Sequence, residues 1–287
     1  MEFDSKIISS CHINFLFGAG VNGGAFPQLD NFKETMNIIK KRLGDSSNLG
    51  FEVAFDKLTD VQKNEVRDLF VKEFKQYLEE LNASHESIVN FQRLLTTINE
   101  IVDKSENRNH SMKQINIFTA NYDDIVERVL KKLGYLYNSV SASNFDSHGQ
   151  YFNMVGYDFL FKKYIPTFFV SKIHCEIDDP ILPGLNKYDK ALEANKFEIL
   201  FKMKEKLLRP YSLLFVIGYS GRDEHINRIL NDCVKGGLTV YWFKYTETDI
   251  VPADFREEIT IIENENHIDT TKLCAEKLKN IWATVEL

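Results

Sequence analysis

Apolar positions along the chain alternate between two periods, and that alternation predicts strands separated by helices. Ile13-Asn14-Phe15-Leu16-Phe17 is a short apolar run that ends in Gly18-Ala19-Gly20, the pattern of a buried strand entering a glycine turn. Beyond Pro27, Phe32, Met36, Ile39 and Leu43 recur at helical spacing, so a helix is expected from about Asn31 to Leu43, with Asp30 as its cap. From Phe51 to Asp103 the pattern is helical throughout and holds no glycine or proline. Thr59 and Gln62 have capping-box spacing, and Val66, Leu69, Phe70, Phe74 and Tyr77 mark one helical face. A further helix carries Ile88, Phe91, Leu95, Ile98 and Val102. The segment of about 51-104 therefore reads as a helical insertion that covers a sheet or forms a small lobe.

Strand-like runs follow at Ile115 to Ala120, Thr167 to Ile173, Ser212 to Tyr219, Thr239 to Tyr245 and Glu258 to Ile262. Helical stretches are expected at Tyr122 to Leu133, Tyr188 to Leu208, His225 to Val234 and Thr271 to Trp282, and Asn138 to Tyr151 is the expected mobile loop. Nearly continuous apolar strands alternating with helices predict an α/β fold, a Rossmann-like doubly wound and mainly parallel sheet, within one domain spanning residues 1-287.

Composition narrows the function classes. With 44% hydrophobic and 27% charged residues the chain has the makings of a substantial core, and its net charge of -7 opposes any role built on neutralising nucleic-acid backbones. No basic, then apolar leader opens the sequence, and no apolar run nears the ~18 residues of a membrane span. A cytoplasmic protein is expected. Cys11, Cys175, Cys233 and Cys274 are far apart, which fits reduced thiols better than a disulfide frame or structural zinc.

Chemistry is expected beyond the carboxyl ends of the strands, where ligands of open parallel sheets bind. Gly18-Ala19-Gly20-Val21-Asn22 is followed by Gly23-Gly24, and its missing side chains would let backbone amides approach a pyrophosphate. G-x-G-x-x-G spacing is met loosely by Gly18, Gly20 and Gly23, and no Gly-Lys-Ser/Thr follows to make a P-loop. Thr119-Ala120-Asn121-Tyr122-Asp123-Asp124 places polar residues where a strand stops and a helix starts. Gly218-Tyr219-Ser220-Gly221-Arg222-Asp223 closes another strand in a small-residue turn. Each has a plain reading as a tight turn or a helix cap, by Asn121 or Asp123 in one case and Ser220 or Asp223 in the other.

In this order the segments resemble the sirtuin-like family: Gly18-Ala19-Gly20-Val21-Asn22 for its Gly-Ala-Gly-x-Ser loop, with Phe26-Pro27 after it; Thr119, Asn121 and Asp123 for Thr-x-Asn-x-Asp; Ile173-His174-Cys175 for a strand ending in His-Gly; and Gly218, Tyr219 and Ser220 for the last turn. Glu176-Ile177-Asp178-Asp179-Pro180 looks like the bacterial branch. Asn22 stands where the family has serine, Cys175 where it has glycine, and the Asp-Phe-Arg that deacylating members carry after the first loop's proline does not follow Pro27. His148-Gly149 carries the literal dipeptide and rivals His174.

The resemblance implies NAD as substrate, with no metal, because the zinc-module cysteines of deacylating sirtuins are missing. It points to the zinc-free bacterial domains that hydrolyse NAD in antiphage defence, some of them separate subunits that assemble as homo-oligomers or with a HerA-type ATPase or an argonaute. It implies that Gly18 to Asn22 hold the pyrophosphate, Gly218, Tyr219 and Ser220 the adenosine, and Asp123, near Thr119, the nicotinamide carboxamide. Asn121 would position the water or ribose hydroxyl, and His174, with an ordinary pKa of ~6.5, would accept its proton. Protein deacylation, ADP-ribosyl transfer and nucleotide binding without catalysis are the competing readings.

Overall fold

A computed structural model describes residues 5-44, 49-106, 108-141, 156-160, 163-178, 180, 198-245, 251-252 and 258-285. Its elements run in chain order α1 (Ser5–Ser10), β1 (His12–Phe17), α2 (Lys33–Leu43), α3 (Phe51–Asp56), α4 (Asp60–Glu79), α5 (Glu86–Lys104), β2 (Ile115–Thr119), α6 (Ile125–Lys132), β3 (Tyr137–Ser141), β4 (Gly156–Asp158), β5 (Lys163–Ile165), β6 (Phe168–Lys172), α7 (Glu198–Leu207), β7 (Ser212–Ile217), α8 (Glu224–Lys235), β8 (Thr239–Phe243), β9 (Thr260–Ile262) and α9 (Thr270–Val285). Short 3-10 turns occupy Ala19–Ala25, Leu29–Asn31 and His110–Lys113.

Among the described residues the main sheet has seven strands in the order β3-β6-β2-β1-β7-β8-β9, and every neighbouring pair is parallel. The expected Rossmann-like α/β fold is what the chain adopts. Its central strands are buried on both faces, which is why β1 and β7 read as apolar runs without alternation. Alternation reappears as a division between two cores. Ile13, Phe15 and Phe17 enter one with Ile115 and Ile117, whereas Leu16, Phe118, Leu214 and Val216 enter the other beneath α7 and α8.

The helical insertion lies on the first face and shares its core. Phe17 meets Phe91 of α5 edge-on at 5.2 Å, and Phe32, Phe51, Phe70 and Phe74 belong to the same cluster. The capping box of α4 is present, Thr59 accepting from the Gln62 amide while Gln62 accepts from the Thr59 amide.

Three expectations are corrected. Asp30 does not cap α2: its carboxylate accepts from the Phe51 amide at 2.6 Å and so heads α3. The first amides of α2, on Glu34 and Thr35, are taken instead by the buried carboxylate of Glu73, at 3.0 and 2.8 Å. The helix expected from Tyr122 begins at Ile125, because Asn121 to Asp124 form the turn that carries polar chemistry. Residues 138-141 of the expected loop are an edge strand, β3, whose Ser139 hydroxyl donates to Glu127 at 2.7 Å. Residues 142-151 of that loop, with His148, and residues 188-197 of the expected helix lie outside the described residues.

Candidate active site

The four predicted segments leave the carboxyl ends of four adjacent strands, in the order β6, β2, β1, β7. That adjacency brings residues about 200 positions apart into contact. The Gly20 amide donates to the Gly218 carbonyl at 3.0 Å, the Gly18 amide to Ile217 at 3.1 Å, and the Val21 amide to Gly18 at 3.0 Å. Three amides of the first loop are thus already engaged within the protein. Its glycines serve close approach of backbone to backbone: a Cβ on Gly18 would lie 2.5 Å from the Gly218 carbonyl oxygen, and one on Gly218 would lie 2.1 Å from the Val21 nitrogen. Gly218 also has φ +65, in the left-handed region. Ala19 and Ser220 are exposed, as are Gly23, Gly24 and Arg222 further along the two turns; Gly20 is half-buried, and Val21 and Tyr219 are buried. The Tyr219 hydroxyl is held between the Asp223 carbonyl and Asn227, both at 3.1 Å, so it braces the start of α8.

The β2 turn crosses to both neighbours. The Asn121 amide donates to the Thr119 hydroxyl at 3.1 Å, and its side-chain Nδ2 donates to the Gly18 carbonyl at 3.3 Å. Asp123 accepts the Ile125 amide at 3.0 Å on one oxygen and Asn22 Nδ2 at 2.8 Å on the other. Burial pushes the Asp123 carboxyl up to about 6, more than the Ile125 and Asn22 hydrogen bonds and the nearby Lys172 ammonium pull it down. Asn22, the residue that replaces serine in the first loop, is 2% exposed, and its Oδ1 is buried with no hydrogen-bond partner among the described residues. An acceptor in that position suits a ligand N–H.

His174 follows β6 and is 1% exposed. Nδ1 lies 2.9 Å from the Ala120 carbonyl, which can only accept, so Nδ1 carries the proton and the lone pair of the neutral ring sits on Nε2. Nε2 faces Nε2 of His225 at 3.1 Å and an Asp223 carboxylate oxygen at 3.7 Å. Cys175 has φ +66. The residue after the histidine therefore occupies the conformation glycine prefers, which is how a cysteine stands in a His-Gly position without reshaping the turn.

His225 and the Asp223 side chain are the parts of the site that sequence reasoning missed. Asp223 was readable only as a cap for α8, yet its side chain makes no capping bond and points to His174. His225 sat unnoticed in the first turn of an amphipathic helix. One ligand atom from each of His174, Asp223 and His225 lies within 4.8 Å of the others. Such a set can share a proton, and its His-Asp-His composition is also one that a divalent transition metal accepts.

A family model described as a SIR2-like domain matches residues 115–269, more than half of the 287-residue chain. The chain belongs to the SIR2-like family. The matched span runs from β2 to the start of α9 and includes Asn121, Asp123, His174 and Gly218. Among solved structures, a Sir2 homologue in complex with NAD is 13% identical, with a TM-score of 0.50 over 98% of this chain and 93% of that one. A Sir2 enzyme solved to address mechanism and regulation is 10% identical, with a TM-score of 0.49 over 98% of this chain and 96% of that one. At these identities the likeness to solved structures is one of fold. No curated protein matches the chain. No helix among the described residues is long and apolar enough to cross a membrane.

Proposed function

We propose that this SIR2-like protein is an NAD hydrolase that breaks the nicotinamide–ribose bond, giving nicotinamide and ADP-ribose. The observation that carries the reading is the meeting of Asn121, Asp123 and His174 at the carboxyl edge beside Gly18, within a family whose solved relatives include an NAD complex. Cleavage builds oxocarbenium character on the ribose, so the site must hold nicotinamide in place and keep a nucleophile near the anomeric carbon. Asp123 and the unpartnered Oδ1 of Asn22 are the acceptors for the carboxamide N–H.

Asn121, tied to Gly18, positions the water or the ribose hydroxyl. Nε2 of His174 takes the proton, and burial of the ring leaves His225 and Asp223, not bulk solvent, as the groups that share it. Glycines at 18 and 218 keep the two loops low beneath the dinucleotide, with exposed Ala19 and Ser220 toward pyrophosphate and adenosine. In this reading water is the acceptor. Depletion of NAD in antiphage defence, by a homo-oligomer or with a HerA-type ATPase, is the setting that the sequence resemblance adds to this reading.

The test is incubation of the purified chain with NAD, alone and with a co-encoded ATPase, following nicotinamide by chromatography. Asn121→Ala and His174→Ala are expected to lower turnover by about 100-fold or more with the fold intact. Full turnover by both variants would overturn the mechanism, and NAD binding without nicotinamide release in every assembly state would reduce the protein to a nucleotide-binding subunit.

A further inference from the structure

The opposite edge of the sheet carries a second concentration of polar chemistry. His12 opens β1, Gln114 precedes β2, Lys206 lies in the last turn of α7 with Arg209 just beyond it, and Ser111 and Tyr164 approach from the 3-10 turn before β2 and from β5. These six residues line a cavity of about 380 Å³. At ~3.3 Å per residue, β1 places His12 roughly 20 Å from Gly18, so the cavity is not part of the carboxyl-edge cleft.

The chain as a whole is acidic, with a net charge of -7, yet no carboxylate lines this cavity among the described residues. Glu205 accepts from Arg209 at 3.4 Å but borders the adjoining cavity of about 220 Å³. Lys206 and Arg209 lie near enough for each charge to act on the other, and Glu205 offsets part of both. Burial, then the charges of Arg209, Arg108 and Lys206, push the His12 imidazole down to about 4, and burial with Arg209 also lowers the Lys206 ammonium. Gln114 is 6% exposed; its Oε1 accepts from Lys206 Nζ at 3.4 Å, which leaves Nε2 buried and without a hydrogen-bond partner. A cavity lined by a guanidinium, an ammonium and an amide side chain whose Nε2 has no partner suits an acceptor with several oxygens and negative charge.

We infer that this cavity is a binding site for a small phosphate-bearing anion, a phosphomonoester, held by Arg209, Lys206 and the Gln114 amide. Its volume suits a molecule no larger than a mononucleotide, and the acidity of the rest of the surface opposes a polynucleotide.

Inorganic phosphate titrated into the full chain and followed by calorimetry and by NMR of His12 tests the site. Saturable binding is expected, with the His12 imidazole becoming more protonated as the dianion offsets its cationic neighbours, and AMP displacing the phosphate. The double variant Lys206→Met with Arg209→Met is expected to weaken phosphate binding at least tenfold, whereas Lys72→Met, which removes an exposed charge on α4, is expected to leave it unchanged. Gln114→Leu, which alters no charge, gives a second route if the double variant does not fold, and a loss of about threefold or more is expected. No phosphate binding by the wild type, equal binding by Gln114→Leu and the double variant, or AMP unable to compete would each overturn the assignment. None of these readings depends on NAD turnover, so they stand or fall apart from the hydrolase proposal.

Discussion

His174 and His225 meet through their Nε2 atoms at 3.1 Å, while Nδ1 of His174 is committed to the Ala120 carbonyl. Only one of the two facing nitrogens can hold the proton between them, so His225 sets when His174 is free to act as a base. His225→Ala is expected to lower kcat for NAD by about 10- to 100-fold with little change in KM, and to move the acid limb of the pH profile. His225→Gln, which can still donate an N–H toward His174, should restore part of the rate. An unshifted pH profile in His225→Ala would remove His225 from the proton path.

The same three groups separate proton sharing from metal chemistry. If they share a proton, exhaustive dialysis against EDTA leaves NAD turnover unchanged, and added Zn²⁺ inhibits by occupying the Nε2 lone pairs. Loss of activity on chelation, with recovery on adding back one metal, would show instead that a bound ion acts at His174, Asp223 and His225.

Gly218→Ala places a methyl group 2.1 Å from the Val21 nitrogen at a residue whose φ is +65. Both the collision and the left-handed conformation oppose it, and a loss of about 3 kcal/mol or more in unfolding free energy is expected. A melting temperature within a few degrees of the wild type would show that the two loops do not need this close approach.

Asp123 and His12 respond to acid in opposite ways. The folded Asp123 carboxyl titrates near 6 against an ordinary value of 3.8, so between these pH values the folded protein holds a proton that the unfolded chain has released. Stability from this group falls as pH rises through that window, by about 3 kcal/mol. His12 is depressed from 6.5 to about 4, so there the unfolded chain binds the extra proton and stability rises with pH. Relative to the wild type, the stability of Asp123→Asn should climb more steeply between pH 4 and 6, and that of His12→Gln should climb less. Denaturant unfolding at several pH values measures both slopes, and parallel curves for wild type and Asp123→Asn would contradict the burial argument.

Cys175→Gly sets two small effects against each other. Relief of the left-handed backbone favours glycine by about 1 kcal/mol, and loss of a fully buried side chain costs about as much. The variant should unfold within about 1 kcal/mol of the wild type and keep its NAD turnover. A drop beyond about 2 kcal/mol would show that thiol packing, not the backbone of the turn, holds His174 in position.

The central strands were legible because burial on both faces keeps them mostly apolar, with Asn14 and Asn116 among the buried exceptions in β1 and β2, and the four turns were legible because a parallel sheet presents every carboxyl end on one edge. What escaped was chemistry set by partners distant in sequence. Asp30 heads α3 rather than α2 because Glu73, 39 residues on from Glu34, reaches the α2 amides first. The polar strand β3 resembles a loop in one dimension, since Ser139 is balanced by Glu127, which itself pairs with the buried Lys172 at 3.4 Å. His225 is indistinguishable by spacing from any residue in the first turn of α8. The sequence offers the glycines as a cradle for pyrophosphate; what it does not show is that the amides of Gly18, Gly20 and Val21 bond within the protein.

The interlock of those two glycine turns also determines where the cleft can change shape. Strands β1 and β7 end in a welded seam, and prying it apart would break the Gly20–Gly218 hydrogen bond and strip two backbones of their van der Waals contact together. Any rearrangement of the cleft therefore has to carry these two turns together, as one unit.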